Sequence, residues 1–125
     1  LEIYKALREA GSMLGEVQVV MEKLHAMPSH FRGSMVAWTL AEHYGKVQMA
    51  LAILGYSCDL VPAKVWQKKL GCVYTKPAKM KSGKWYAVRK MKMLRKARLL
   101  YPSVKVTPNT ADALLILRYA RKVYK

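Results

Sequence analysis

Apolar positions recur along this chain in two rhythms, steps of three or four residues and short unbroken runs, and their alternation outlines its elements. Ile3, Leu7 and Ala10 share one face of a short helix over residues 1–10 that stops at Gly11. After "GSMLG", the β-branched residues of 16–22 predict a strand, and Pro28, Ser29 and Gly33 punctuate a loop over 24–33. From Ser34 to Leu54 the helical rhythm returns, with Met35, Trp38, Leu40, Val47, Leu51 and Leu54 in step and Gly55 as terminator. "YSCDLV" predicts a second strand, closed by Pro62, and "PAKVWQKKLG" a short helix with Pro at its first turn and Gly71 after its last. Residues 72–84 form a basic loop. The stretch "WYAVRKMKMLRKARLLYP" then predicts a helix that turns Trp85, Val88, Met91, Leu94 and Leu99 to a core and ends at Pro102. A final helix runs from about Asn109 to the C-terminus with Ala113, Ile116, Leu117 and Ala120 inward.

Helix–strand–helix–strand–helix order predicts a layered α/β domain spanning residues 1–125. Two strands are too few for a stable sheet of this kind, so sheet-forming material is expected upstream of Leu1. An apolar fraction of 53% excludes a disordered chain. No apolar run reaches the roughly 18 to 20 residues that span a bilayer, and no signal-peptide pattern opens the chain. Cys58 and Cys72 lack CxxC spacing and are read as free thiols, in keeping with a reducing, intracellular setting. The eight Met residues are read as packing filler.

Charge changes the picture most. The chain holds 23 Lys and Arg against 7 Asp and Glu, a net +16. Residues 1–59 contain five bases and six acids, a net −1. Residues 60–125 contain eighteen bases and one acid, Asp112, a net +17. Basicity this dense points to a polyanion, since phosphate contacts release counterions and dominate affinity. Nucleic acid is the expected partner, and an anionic membrane a minor alternative. Lys79, Lys81, Lys84, Arg89, Lys90, Lys92, Arg95, Lys96 and Arg98 are the phosphate-contacting candidates, with no acid among them. An ordinary solvated face would mix signs. Lys68 and Lys69, after the second strand, and His30 with Arg32, in the loop after Glu22, extend the candidate set. Trp38, Trp66 and Trp85 are read as core in preference to base-stacking surfaces.

Five features together, "MEKLHAMP" with its acid at a strand end, the long Gly-containing helix, "LVPAKVWQKKLG", "LLYP" and "ADALLILRYA", resemble the RuvC-type Holliday-junction resolvases, closest to their phage and organellar branch. The match covers about residues 1–125, as the C-terminal two-thirds of such a domain. The resemblance implies a ribonuclease-H-like mixed sheet flanked by helices, with the N-terminal strands missing from this chain. It also implies a homodimeric, Mg²⁺-dependent endonuclease that nicks four-way DNA junctions. In that family four carboxylates hold two metal ions, which at about 3.5 to 4 Å clamp the attacking and leaving oxygens. By resemblance, Glu22 and Asp112 are the catalytic metal ligands here.

Several positions depart from the family pattern. The first-strand aspartate has no counterpart, and the positions before Asp112 hold Pro108 and Asn109, neither anionic. The family's "WK" is Trp66–Gln67, followed by Lys68 and Lys69. The residues by themselves leave alternatives. Glu22 also reads as a solvated strand-end acid beside Lys23 or His25. Asp112 also reads as a first-turn acid favoured by the helix dipole, with Asn109 as N-cap of "NTAD". Two function classes follow. One is the Mg²⁺-dependent junction endonuclease. The other is an inactive homologue that binds RNA as a structural subunit of a ribonucleoprotein such as an organellar (mitochondrial) ribosome. The expected compartment is the cytoplasm of a phage-infected bacterium or an organelle matrix.

Overall fold

A computed structural model describes residues 5, 6, 8, 9, 17–25 and 33–124. They form a mixed α/β architecture of four helices and a two-stranded parallel sheet. The strands are β1 (Val19–Lys23) and β2 (Cys58–Pro62). The helices are α1 (Ser34–Ile53), α2 (Ala63–Lys69), α3 (Ser82–Leu100) and α4 (Ala111–Val123). Lys5, Ala6, Arg8 and Glu9 also carry helical backbone, within the first helix that the sequence predicts. The chain divides into two compact units, Leu1–Leu60 and Val61–Lys125. Among the described residues no helix is long and apolar enough to cross a membrane.

A βαβ connection joins the parallel strands, since parallel neighbours need a long crossover, here supplied by α1. The Gln18 amide reaches the Asp59 carboxylate at 3.4 Å across the pair. Tyr44, on α1, donates its hydroxyl to the Glu22 carbonyl at 3.4 Å. Leu51 is buried, but Met35 and Trp38 are exposed, Trp38 by 72%. That corrects the reading of Trp38 as core. Apolar residues lie on several sides of α1, so periodicity alone could not single out the covered side.

Gly55 and Gly71 take the left-handed conformation, at φ 75° and 66°, just past α1 and α2. At α2, the Cys72 N–H donates to the Gln67 carbonyl at 2.7 Å and the Gly71 N–H to that of Lys68 at 3.1 Å. The same pair of bonds closes α1, from Tyr56 to Leu51 at 3.0 Å and from Gly55 to Ala52 at 3.1 Å. Both ends are Schellman caps, where glycine avoids the Cβ clash of left-handed backbone.

In the second unit α3 packs on α4, and α2 also rests on α4. Trp66 of α2 and its C-cap residue Leu70 are buried, as are Met93, Leu94 and Ala97 of α3, Ala111, Leu115 and Tyr119 of α4, and the loop residues Cys72 and Val106. The α4 set is a stripe at four-residue steps. It is rotated from the expected one: Ala113 and Leu117 are exposed, Ile116 and Ala120 half-buried. Likewise Leu94 faces the α3 core as expected, whereas Met91 and Leu99 are exposed and Met93 with Ala97 takes their place. Both helices are apolar on more than one side, and the packing partner selects the stripe. Trp66 is fully buried, as expected for core, and Trp85 half-buried. Cys72 is buried, Cys58 half-buried, and both thiols are free.

Candidate nucleic-acid interface

The basic surface is built on α3 and the loop before it. Lys81 is the α3 N-cap residue, and its carbonyl accepts from the Trp85 N–H at 3.0 Å. No acid lies in the first turn, so the positive end of the helix dipole adds to the exposed Lys79, Lys81 and Lys84 ammonium groups. A helix start of this polarity attracts phosphate. Lys68 and Lys69 are exposed in the last turn of α2.

The remaining candidates separate by their surroundings. Lys92, Arg95 and Arg98 are exposed, while Arg89, Lys90 and Lys96 are half-buried. Lys90 Nζ meets Asp112 Oδ2 at 2.6 Å. Lys96 Nζ donates to the Leu70 carbonyl, the C-cap residue of α2, and so neutralises the negative end of that helix. Arg98 Nη2 donates to the Val106 carbonyl at 3.4 Å and ties down the 101–110 loop. Lys92 lies 5.0 Å from the Tyr74 ring centre and 5.8 Å from that of Trp85, within cation–π range. Arg89 and Lys90 each lie 6.0 Å from the ring of Tyr86, which is exposed. His30 and Arg32 lie outside the described residues.

The two carboxylates fall in different compact units. Glu22 is the fourth residue of β1 and is half-buried. Asp112 stands in the first turn of α4, about a third exposed and engaged by Lys90. Asn109 is not the cap. Thr110 occupies that position, and its side chain turns back on the preceding loop, with Oγ1 accepting the Thr107 N–H at 3.0 Å. A local hydroxyl-to-backbone bond has displaced helix capping there.

Among the described residues no three His, Cys, Asp or Glu side chains gather as a metal site. Asp112 also already holds a lysine at ion-pair distance. With that lysine in place and no second Asp or Glu in residues 61–125, Asp112 does not by itself fit a two-metal centre.

One feature escaped the sequence reading. Lys64, Gln67 and Lys68, spaced i, i+3, i+4 on α2, line a notch of about 380 Å³ with Cys72, Tyr74 and Arg89. The spacing on α2 was a readable signal for one wall. Nothing local marked Tyr74 or Arg89 as the others. Burial pushes the Cys72 thiol up, with Lys96 and Tyr74 opposing. Burial, then the neighbouring Cys72, pushes the Tyr74 phenol up. Both groups are therefore neutral at physiological pH. Tyr74 also lines a second notch of about 410 Å³, together with Lys92, Arg95 and Leu99.

In comparisons with family models, curated proteins and solved structures, none matches this chain. The class the coordinates define is mixed α/β.

Proposed function

We propose that this chain is a nucleic-acid-binding domain of RuvC-like ancestry that holds the sugar-phosphate backbone on the basic surface of α3 and its preceding loop. One observation carries the reading. Residues 61–125 bear eighteen cations and a single carboxylate, and that carboxylate is engaged by Lys90. Most of the basic side chains consequently lack an acidic partner in their own unit, and phosphate supplies one. Such contacts position a bound strand without reading its sequence.

The sharper form of the proposal, from the sequence resemblance, is a Mg²⁺-dependent endonuclease that cuts four-way DNA junctions as a homodimer, with Glu22 and Asp112 as ligands. A second reading, an RNA-binding subunit of a ribonucleoprotein, is favoured by the Lys90–Asp112 pair, because metal binding at Asp112 would have to displace a lysine.

The test measures binding of the full chain to a four-way DNA junction and a structured RNA at rising salt, alongside nicking in Mg²⁺. Affinity falling about 10³-fold or more between 50 and 200 mM salt supports backbone binding through six or more phosphates. Affinity indifferent to salt refutes it. Nicking abolished by Glu22→Gln supports the endonuclease. Tight binding without nicking, unchanged by a chelator, supports the RNA-binding subunit if RNA is the preferred ligand.

A further inference from the structure

Duplex backbone is not the only nucleic-acid feature to which this surface is suited. Resting on the proposed nucleic-acid binding, we infer that the notch between α2 and α3 holds one unpaired nucleotide, its phosphate on Lys64, Lys68 and Arg89 and its base against Tyr74.

The lining divides the work between two kinds of group. Lys64 and Lys68 supply mobile positive charge from one face of α2, and Arg89 supplies a guanidinium from α3. No carboxylate lines the notch, so an anion entering it meets no repulsion from the walls. The Arg89 Nε–H is buried and has no hydrogen-bond partner among the described residues. A buried charged donor without an acceptor is costly, and a phosphate oxygen is a suitable acceptor.

Phosphate alone would not need the remaining wall. Gln67, Cys72 and Tyr74 add an amide, a neutral thiol and a neutral phenol, the first of which both donates and accepts hydrogen bonds as a base edge does. Tyr74 adds a ring, and rings stack on any base. A volume of about 380 Å³ is in the range of sites for small organic ligands, about 300 to 1,000 Å³. A paired base sits inside its helix and cannot enter such a recess, whereas unpaired bases can be splayed out and stacked on aromatic side chains.

Tyr74 also forms part of the second notch, with Lys92, Arg95 and Lys96. Lys92 stands 5.0 Å from the Tyr74 ring centre. A second cationic recess therefore adjoins the ring, and its Lys92, Arg95 and Lys96 can take the next phosphate toward the middle of α3.

The test uses the full chain and two pairs of oligonucleotides, DNA and RNA, each as a perfect duplex and as the same duplex with a five-nucleotide unpaired gap. Affinities are read by fluorescence anisotropy, and a 2-aminopurine in the gap reports stacking. The gapped form is expected to bind about tenfold tighter than the duplex, with the fluorophore quenched on binding. Tyr74→Ala should remove that preference by lowering gapped affinity about tenfold more than duplex affinity, and Tyr74→Phe should keep it. Arg89→Gln should lower gapped affinity more than duplex affinity, which reads the same site if Tyr74→Ala does not fold. Equal affinity of the wild type for both forms, or equal losses on both in the two variants, overturns the unpaired-nucleotide site and leaves backbone binding standing. Failure of the wild type to bind any oligonucleotide refutes the broader reading instead. Comparison of the DNA and RNA pairs tells which sugar the notch takes.

Discussion

Lys90 and Asp112 meet at 2.6 Å across the α3–α4 packing and form the only ion pair in residues 61–125 among the described side chains. Each side chain is more than a third exposed, so solvent screens the attraction. A double-mutant cycle with Lys90→Ala and Asp112→Asn should give a coupling of about 0.2 to 1 kcal/mol in chemical denaturation. A coupling of several kcal/mol would mean that the pair is more desolvated than its exposure indicates.

Two groups of lysines, close in sequence, should behave in opposite ways. Lys79, Lys81 and Lys84 are exposed, and changing all three to Ala should reduce the slope of log affinity against log salt by about 2 to 3. Stability should stay within about 0.5 kcal/mol per site. Lys96 donates to the Leu70 carbonyl at the end of α2. Lys96→Met should cost about 1.5 to 3 kcal/mol of stability, the usual worth of a hydrogen bond to a charged group. Titrations at four salt concentrations and urea melts of the two variants separate the two roles.

Gly71→Ala isolates backbone conformation from packing. A Cβ there would meet only Lys96 Nζ at 3.6 Å, an ordinary contact, yet φ is +66°. The loss should be about 1 to 2 kcal/mol, from left-handed strain alone. Gly45→Ala, inside α1 with nothing near its Cβ, should instead stabilise by roughly 0.5 to 1 kcal/mol. Equal effects at the two positions in thermal melts would contradict the assigned conformations.

Alkaline pH should weaken the second unit. Burial raises the Cys72 thiol above its ordinary value, and burial with Cys72 nearby raises the Tyr74 phenol. Raised acids stabilise the fold in their neutral form. Their contribution is complete below the unfolded values, about 8.5 for the thiol and 10 for the phenol, and is lost as pH climbs through the folded ones. Thermal midpoints should hold from pH 7 to 8 and fall progressively above about pH 8.5. A Cys72→Ala, Tyr74→Phe double variant should show a shallower decline. If its decline is as steep as the wild type's, these two groups are not the source.

Much of the element plan was legible in the chain because local chemistry dictates it. Gly55 and Gly71 mark helix ends that only left-handed backbone can close, and Pro62 lies at the junction of β2 and α2. The α3 start lies three residues earlier than periodicity placed it, at Ser82, because Ser82, Gly83 and Lys84 add no large apolar side chain to the pattern that begins at Trp85. The buried faces of α3 and α4 were less legible. "MKMLRKARLL" and "ADALLILRYA" offer apolar residues at nearly every step, so the choice of Met93 over Met91, or Leu115 over Leu117, is made by the opposing helix. The binding surface was readable as charge, yet charge could not reveal that Lys90 and Lys96 serve internal partners. The notch around Tyr74 depends on α2, the loop and α3 coming together, which no single stretch announces.

The solitary acid of residues 61–125 has a thermodynamic corollary. With Asp112 engaged, seventeen like charges remain to be balanced from outside, and their mutual repulsion works against the compact state. Sulfate should therefore raise the melting temperature of the free protein under the same conditions that loosen its grip on an oligonucleotide. An oligonucleotide at about 100 times its dissociation constant should add about 2.7 kcal/mol. The ligand completes the domain's own electrostatic balance, and the folded form is firmest when it is occupied.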